Sequence, residues 1–343
     1  MTQPSIMDDE RAPNERPVAV VASRYLQVST PAGSGTVPVF ANGDWLAPAP
    51  TVRRVVILIH GRLRNGDTYF ELAQRACESA GASADDTLLI VPQFLASADL
   101  DAHALPSSTL HWDWTGWMGG DNSQGPAPLS SFDVLDAILH TLASREQFGA
   151  LTDVVIAGHS GGGQVVQRYA VVARGDALLT ARGVALRYVV ANPSSYVYFD
   201  AMRPDARGEF VAFDAASCSS FNRWKYGLEH LPAYAKDAGA SGTIDDAMTE
   251  KLEARYVQRD VTVLLGGADC DPQHPALDRS CAARAQGAHR LERGLAYARY
   301  MASRHPRGLS THRTFVIDGV GHDAGGIFTS ARGREALFGT GQR

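Results

Sequence analysis

Residues 154–162 read Val-Val-Ile-Ala-Gly-His-Ser-Gly-Gly, an apolar run followed at once by the pattern G-x-S-x-G. Small residues on both sides of the serine let the backbone turn sharply from a strand into a helix, with the serine in a strained conformation at the apex. Residues 164–173 carry apolar side chains at helical spacing, so a helix is expected to begin beside Ser160. The stretch predicts a strand, a tight turn and a helix that expose the Ser160 hydroxyl as a nucleophile.

Further apolar runs alternate along the chain with segments of helical pattern. Runs that stay apolar on both faces are typical of strands in a parallel sheet that is covered by helices on each side. Such runs occupy residues 55–59, 87–91, 151–157, 186–191, 261–265 and 314–317. Helical patterns occupy residues 68–81, 131–148 and 163–174. We therefore predict an α/β fold with a mostly parallel central sheet flanked by helices.

The remaining segments define the domain organisation. Residues 18–44 contain alternating segments separated by a turn-rich stretch at 31–35, which predicts an antiparallel hairpin at a sheet edge. Residues 1–17 are polar and are expected to be flexible, whereas residues 18–343 are expected to form a single domain. Residues 195–258 are too many for a simple connection, so they predict a cap or lid insertion.

Charge and hydropathy exclude several classes of partner. The chain has 343 residues and a formal net charge of -5, and its basic residues are scattered, so a nucleic-acid partner is not expected. No apolar stretch approaches the length of a membrane span. Residues 1–17 contain acidic residues where a secretion signal would have a basic and then an apolar region, so we expect a cytoplasmic protein. That expectation fails if the chain is a trimmed mature form.

The four cysteines, Cys77, Cys218, Cys270 and Cys281, show no C-x-x-C pairing and no neighbouring histidine pattern. A structural zinc site is therefore not expected, and neither a metal nor a cofactor is predicted. Reduced thiols are the first expectation, with Cys77 in the core. The alternative is a disulfide among Cys218, Cys270 and Cys281, which would imply an oxidising compartment.

A serine nucleophile needs a base, and the base needs a carboxylate to fix its tautomer. The last predicted strand runs into Gly321-His322, where a glycine allows a turn, so His322 is the predicted base. The preceding strand is followed by Asp269, the predicted acid, because a carboxylate just past a strand end can face the histidine loop. Asp271, beside a proline, remains open as an alternative acid, and Asp200 is a third candidate.

The oxyanion formed on attack requires backbone donors that are already in place. We expect one from the amide of Gly161 and the second from the amide of Arg62, in the turn after the first parallel strand. His60 in that turn is then structural, and Arg64 is expected to be a solvated surface charge. The tryptophans of the loop around residue 115 either fill the core or contact substrate, and the substrate-binding candidates are Trp112, Trp114 and Trp117.

Together these motifs resemble the α/β-hydrolase fold superfamily. His60-Gly61 follows one strand, the serine pentapeptide a later one, Asp269 another and Gly321-His322 the last, and the order Ser, Asp, His is the order of that superfamily. The resemblance covers residues 55–343. One departure is the His60-Gly61-Arg62 turn, which differs from the glycine-rich oxyanion loop of many lipases and weakens a lipase assignment.

The resemblance implies a serine hydrolase that acts on a small-molecule acyl substrate, with Ser160, His322 and Asp269 as its catalytic triad. A carboxylic ester is the expected substrate class. An amidase or peptidase with the same triad is the first alternative, and a noncatalytic binding protein with this fold is the second. Acyl chain length and leaving group stay open, because the superfamily accepts many of both.

Overall fold

The structure, a computed structural model, describes residues 12–83, 85–236 and 245–339. Its strands are β1 Arg24–Thr30, β2 Gly33–Ala41, β3 Arg54–Ile59, β4 Thr87–Pro92, β5 Leu95–Ala96, β6 His111–Trp112, β7 Asp153–His159, β8 Ala185–Ala191, β9 Met202–Pro204, β10 Phe210–Ala212, β11 Asp260–Gly266 and β12 His312–Ile317. Its α-helices are α1 Gly66–Ser79, α2 Ser97–His103, α3 Ser131–Leu142, α4 Gly161–Val172, α5 Asp176–Thr180, α6 Asp246–Gln258, α7 Cys281–Arg284, α8 Arg290–Arg304, α9 Ala324–Phe328 and α10 Ala331–Phe338.

Within the described residues the central sheet has eight strands in the order β1-β2-β4-β3-β7-β8-β11-β12. Parallel pairing joins six of these strands, in the order β4-β3-β7-β8-β11-β12. The β1–β2 hairpin is antiparallel, and β2 also pairs antiparallel with β4. The predicted mostly parallel sheet and the predicted hairpin at its edge are therefore confirmed.

Strand β3, in the middle of the sheet, is apolar and buried from Val55 to Ile59 because helices cover both faces of the sheet. In β3, Val55 and Ile57 belong to one core cluster, whereas Val56 and Leu58 belong to the other. Helices α3, α4 and α8 pack on the first face, and α1, α9 and α10 on the second. Alternate side chains of one strand thus enter opposite layers, which explains a sequence run without polar interruptions.

Parallel pairing fixes where the loops meet. The carboxyl-terminal ends of β7, β11 and β12 lie along the same edge of the sheet, with β8 between β7 and β11. The segments that follow these three strands begin at Ser160, Gly267 and Asp318. Residues far apart in sequence therefore converge at one edge, as they do in open α/β sheets that bind ligands there.

Residues 12–17, the described part of the segment 1–17 that was expected to be flexible, make buried contacts, and the flexibility of that segment stays a prediction. Asn14 lies in a short 3-10 turn and is only 4% exposed. The guanidinium of Arg64 donates to the carbonyl oxygens of Asn14 and Arg16, and the backbone N–H of Val18 donates to Asp99. Residues 1–11 lie outside the described residues.

The segment predicted to form a cap, residues 195–258, is described up to 236 and again from 245. It contains the short β9–β10 hairpin, a 3-10 turn at Ala233–Ala235 and helix α6. Its first residues pack into the core, where the ring of Tyr198 contacts Tyr297 of α8 edge-on and Tyr300 of α8 at a tilted angle. The assignment of this segment as a lid stays a prediction.

Cys218 and Cys281 form a disulfide, so the first expectation of reduced thiols is wrong for this pair. The bond joins the predicted cap segment to the start of α7, across 63 residues of sequence. Cys77 is a buried thiol, as expected, and Cys270 is an exposed one. Among the described helices, none is both long and apolar enough to cross a membrane.

Candidate active site

The turn between β7 and α4 places Ser160 in a left-handed conformation, with φ 57° and ψ −115°. Close backbone contacts explain why glycines surround it. A Cβ on Gly162 would lie 2.1 Å from the carbonyl oxygen of Ile59, and one on Gly158 would lie 2.3 Å from the carbonyl oxygen of Gly162. Only glycine fits both positions, and the strand, turn and helix predicted around Ser160 are confirmed.

A continuous chain of hydrogen bonds joins the three predicted triad residues. Nε2 of His322 lies 2.9 Å from Oγ of Ser160, and Nδ1 of His322 lies 2.8 Å from Oδ2 of Asp269. Asp271 does not reach this chain, because it is exposed and its carboxylate accepts from the backbone N–H of Gln273. The third candidate, Asp200, pairs with Arg304 elsewhere. Of the acids left open by the sequence, the structure brings Asp269 to His322.

The electrostatic surroundings favour the charge states that this chain requires. Burial opposes ionisation of Asp269, but the hydrogen bond and charge of His322, together with Arg290, hold its pKa below the usual value. Burial and the charge of Arg290 lower the pKa of His322 from 6.5, although Asp269 opposes that change. At neutral pH His322 is therefore uncharged, donates Nδ1–H to Asp269 and has a free electron pair on Nε2 facing Ser160.

Two further histidines contact the His322 ring. His159, one residue before the serine, packs against it with 4.6 Å between ring centroids, and His274 approaches it edge-on at 5.1 Å. Nδ1 of His159 lies 3.3 Å from the hydroxyl of Tyr69. Burial and the charge of His322 hold the pKa of His159 well below its usual range. His159 is thus a neutral packing surface beneath His322.

Asn192 connects the strand ends that carry these residues. It follows β8, and its Oδ1 accepts the backbone N–H of Gly266 at 2.7 Å. Its Nδ2 lies 3.3 Å from the carbonyl oxygen of Gly321 and 3.4 Å from Nε2 of His159. One amide side chain therefore ties the loops of Asp269, His322 and Ser160 together. Sequence reasoning missed it because a single asparagine after a strand is an ordinary turn residue.

The two predicted oxyanion donors lie side by side. The amide of Gly161 is the first of α4, where a helix leaves its N–H groups without intrahelical partners. A Cβ on Gly161 would lie only 3.1 Å from the backbone nitrogen of Arg62. Neither amide donates to another acceptor in the described residues. Both are thus available beside Ser160, and their role as oxyanion donors stays a prediction.

His60 holds the turn that presents Arg62, which confirms its structural assignment. It is fully buried, and its Nδ1–H donates to the carbonyl oxygen of Gly61 at 2.8 Å. Its Nε2 accepts the backbone N–H of Phe94 at 2.9 Å. Burial lowers the pKa of His60 to about 4, so this ring stays neutral and cannot compete with His322 as a base at neutral pH.

The aromatic loop requires a correction. Trp112 and Trp117 are fully buried, and the Trp117 ring packs 4.7 Å from His60, so of the two alternatives these residues fill the core. Trp114 is half-buried and lies under the Arg64 guanidinium at 5.0 Å. Arg64 itself is fully buried and bonded to Asp99 at 2.8 Å, which corrects its assignment as a solvated charge.

A cleft of about 460 Å³ opens beside Ser160 and His322. Its walls come from separate segments: Pro13 and Asn14, the turn containing Arg62 and Leu63, Thr68 and Tyr69 of α1, and residues 274–276. A larger cavity of about 700 Å³ surrounds Arg54 and Arg187 at the opposite strand ends and contains none of the triad residues. Among the described side chains, no three His, Cys, Asp or Glu groups converge as a metal site would require.

Comparison with known proteins yields structural similarity and no sequence match. No family model matches the chain, and no curated protein matches its sequence. Poly(aspartic acid) hydrolase-1 from Sphingomonas sp. KT-1 superposes with a TM-score of 0.59 at 20% identity, over 94% of this chain and 99% of that chain. LpqC, a poly(3-hydroxybutyrate) depolymerase from Bordetella parapertussis, superposes with a TM-score of 0.58 at 19% identity, over 96% and 94%. The sheet order, the serine turn and these superpositions together show that the chain has the α/β-hydrolase fold.

Proposed function

We propose that the protein is a serine hydrolase that cleaves a carboxylic ester through an acyl-enzyme. The observation that carries this proposal is the hydrogen-bond chain from Asp269 through His322 to Ser160, which ends at a cleft. A serine is nucleophilic only when a neutral base accepts its proton. The lowered pKa of His322 supplies that base at neutral pH.

The steps follow from these positions. Oγ of Ser160 attacks the ester carbonyl carbon while Nε2 of His322 takes the hydroxyl proton, and the amides of Gly161 and Arg62 stabilise the oxyanion. The carbon–oxygen bond to the leaving alcohol then breaks, and the alcohol takes the proton from His322. In the second half, His322 takes a proton from water, the resulting hydroxide attacks the acyl carbon, and Ser160 leaves with the proton.

Substitution of Ser160 with alanine tests the nucleophile. Ser160→Ala should abolish hydrolysis of a nitrophenyl ester and labelling by a fluorophosphonate probe, while thermal unfolding shows an intact fold. Ser303→Ala, on an exposed part of α8, is the matched control and should keep both signals. Turnover by Ser160→Ala would refute the mechanism. Failure of the wild-type protein to react with the probe would favour a noncatalytic binding protein with this fold.

Ester and amide substrates require a direct comparison, because the same triad geometry serves both. The two similar structures bear the names of a poly(aspartic acid) hydrolase and a poly(3-hydroxybutyrate) depolymerase, whose polymers are joined by amide and ester bonds respectively. Matched nitrophenyl ester and nitroanilide substrates with one acyl group separate the alternatives. We expect kcat/KM to be higher for the ester than for the anilide, by a larger factor than the rates of their uncatalysed hydrolysis differ. A preference for the anilide would identify an amidase.

We also propose that the protein works in an oxidising compartment. The Cys218–Cys281 disulfide supports this location over the cytoplasm that the sequence suggested, because reducing compartments rarely preserve such bonds. Alkylation of free thiols in protein taken from its native cells, followed by mass spectrometry, tests this. Alkylated Cys218 and Cys281 would contradict it, and Cys270 serves as the internal control for a reactive thiol.

A further inference from the structure

Arg290 is a buried arginine at the start of α8 that none of the chemical steps above uses. Only 1% of it is exposed. Its Nη1 donates to Oδ1 of Asp269 at 3.1 Å, and its Nε donates to Oγ of Ser194 at 3.2 Å. Asp269 follows β11 and Ser194 follows β8, so one guanidinium joins a helix to two loops at the carboxyl-terminal edge of the sheet.

We propose that Arg290 is a positioning residue of the triad: by binding Oδ1 of Asp269, it turns Oδ2 toward His322 and keeps Nε2 of His322 aimed at Ser160. The inference rests on the proposed function. Its basis is that the two carboxylate oxygens of Asp269 have different partners, His322 at 2.8 Å and Arg290 at 3.1 Å. A carboxylate bound on both oxygens cannot rotate about its Cβ–Cγ bond without breaking one of these contacts.

Neighbouring contacts fix Arg290 itself. The backbone N–H of Leu291 donates to the carbonyl oxygen of Asp269 at 3.2 Å, which binds the first turn of α8 to the acid loop. Arg293, one turn later, donates to the carbonyl oxygen of Ser194 at 2.6 Å. Ser194 is therefore held through both its hydroxyl and its carbonyl group, and it fixes the guanidinium plane of Arg290. The forked donor set of arginine suits this role, whereas a lysine ammonium cannot reproduce it.

The charge of Arg290 matters as well as its geometry. The groups that face His322 are Asp269, Arg290, His159, His274 and, next along the chain, Asp323. Burial lowers the pKa of both His159 and His274, so neither carries a charge at neutral pH. The carboxylate of Asp323 is occupied by the N–H groups of Gly325 and Gly326. Arg290 is then the cation in this group that opposes the negative charge of Asp269.

This balance gives a prediction that a merely structural arginine would not give. Without Arg290, the charge of Asp269 acts on His322 uncompensated and stabilises the imidazolium. The pKa of His322 then rises, so the base becomes protonated at a higher pH than in the wild-type protein. The acid limb of the pH profile of kcat/KM must move to higher pH. Loss of stability alone would lower the amount of folded enzyme and leave the limb in place.

The experiment compares Arg290→Gln, Arg290→Lys and the control Arg299→Gln, an exposed arginine on the same helix, with a nitrophenyl ester. Arg290→Gln should lower kcat about ten- to a hundredfold with little change in KM, the range expected for one buried charge-assisted hydrogen bond, and should move the acid limb upward. Arg290→Lys keeps the charge but loses the fork, so kcat should fall while the limb stays near the wild-type position. Arg299→Gln should leave both unchanged.

Titration of the His322 imidazole by NMR in the Ser160→Ala background tests the same inference without turnover. If the wild-type protein hydrolyses no ester, the proposed function fails, yet Arg290→Gln should still raise the titration midpoint of His322. The inference is overturned if Arg290→Gln and Arg299→Gln share one acid limb and one midpoint. If Arg290→Gln does not fold, Arg290→Lys provides the test. A lower kcat with unchanged KM and an unchanged acid limb of the pH profile supports the inference, and a wild-type kcat overturns it.

Discussion

Replacement of Asp269 with asparagine perturbs the hydrogen-bond chain at its far end. Asp269 accepts one bond from Nδ1–H of His322 and another from Arg290. Arginine has donors only, so the amide oxygen of an asparagine would face Arg290 and its NH2 group would face His322. His322 would then hold its proton on Nε2. No electron pair would face Ser160, although every heavy atom could remain in place.

The expected loss is large because the base is lost entirely. For a neutral imidazole fixed in the wrong tautomer, kcat should fall about ten-thousandfold, which corresponds to about 5 kcal/mol of transition-state stabilisation. KM should change little, since no wall of the cleft is altered. Asp271→Asn is the matched control. Its Oδ1 accepts from the backbone N–H of Gln273 at 2.8 Å, and an asparagine oxygen can keep that bond.

Steady-state hydrolysis of a nitrophenyl ester by both variants, with thermal unfolding to verify the fold, measures the difference. The reasoning predicts a wild-type kcat for Asp271→Asn. A folded Asp269→Asn enzyme within tenfold of the wild type would refute the assignment of Asp269. Greater damage from Asp271→Asn would show that the acid loop rearranges when substrate binds.

Three further predictions follow from the same geometry. Burial and Arg290 lower the pKa of His322, so its base form persists below pH 6.5 and is lost as the pH falls further. The acid limb of the pH profile of kcat/KM should therefore lie below pH 6.5. A limb above that value would contradict the assignment of His322 as the base. Cys218→Ser removes the disulfide that closes a loop of 63 residues, so it should lower the free energy of unfolding by about 4 kcal/mol, measured by denaturant titration. Cys270→Ser, which removes a free exposed thiol, is the control and should leave that free energy unchanged. Gly162→Ala places a Cβ 2.1 Å from the carbonyl oxygen of Ile59, so it should abolish activity and lower the free energy of unfolding by about 3 kcal/mol. Gly321→Ala is the control and should be tolerated, because no neighbouring atom lies within 4 Å of the added Cβ. Activity assays and unfolding curves measure both effects.

The strand pattern carried most of the information on the fold. A parallel strand in the middle of the sheet is buried on both faces, as Val55 and Val56 of β3 illustrate, and such apolar runs stand out in a sequence. Strand ends then indicated Ser160, Asp269 and His322, because parallel pairing brings those ends to one edge. The turn before His322 was attributed to the conformational freedom of Gly321, and that reason is not supported. Gly321 has neither a positive φ nor a close neighbour that would demand glycine.

Other features had no local signal. Trp112 and Trp117 lie in a loop without periodicity, so their burial against Phe94 and His60 could not be distinguished from an open cleft wall. The pairing of Cys218 with Cys281 depends on the fold and not on spacing. Asn14 lies at the cleft because Arg62 and buried Arg64, both distant in sequence, bind it. These are long-range contacts, and sequence periodicity reports only local ones.

Two buried arginines, Arg203 and Arg293, stabilise loops by donating to backbone carbonyl groups. Long loops leave carbonyl groups unpaired, and each buried carbonyl oxygen needs a donor. Arg203 donates to the carbonyl oxygens of four residues: Asp200, Met202, Phe221 and Tyr226. Arg293 supplies those of Gly287, Ser194 and Asp278, all near the acid loop. A planar group with five donors can satisfy several carbonyl groups at once, which a lysine cannot.

Arg290 differs from Arg203 and Arg293 in one respect that has a chemical consequence. Its partners are side chains, the carboxylate of Asp269 and the hydroxyl of Ser194, and no backbone carbonyl oxygen is among them. The geometry of Arg290 is instead fitted to a carboxylate, and that carboxylate is the one that orients His322.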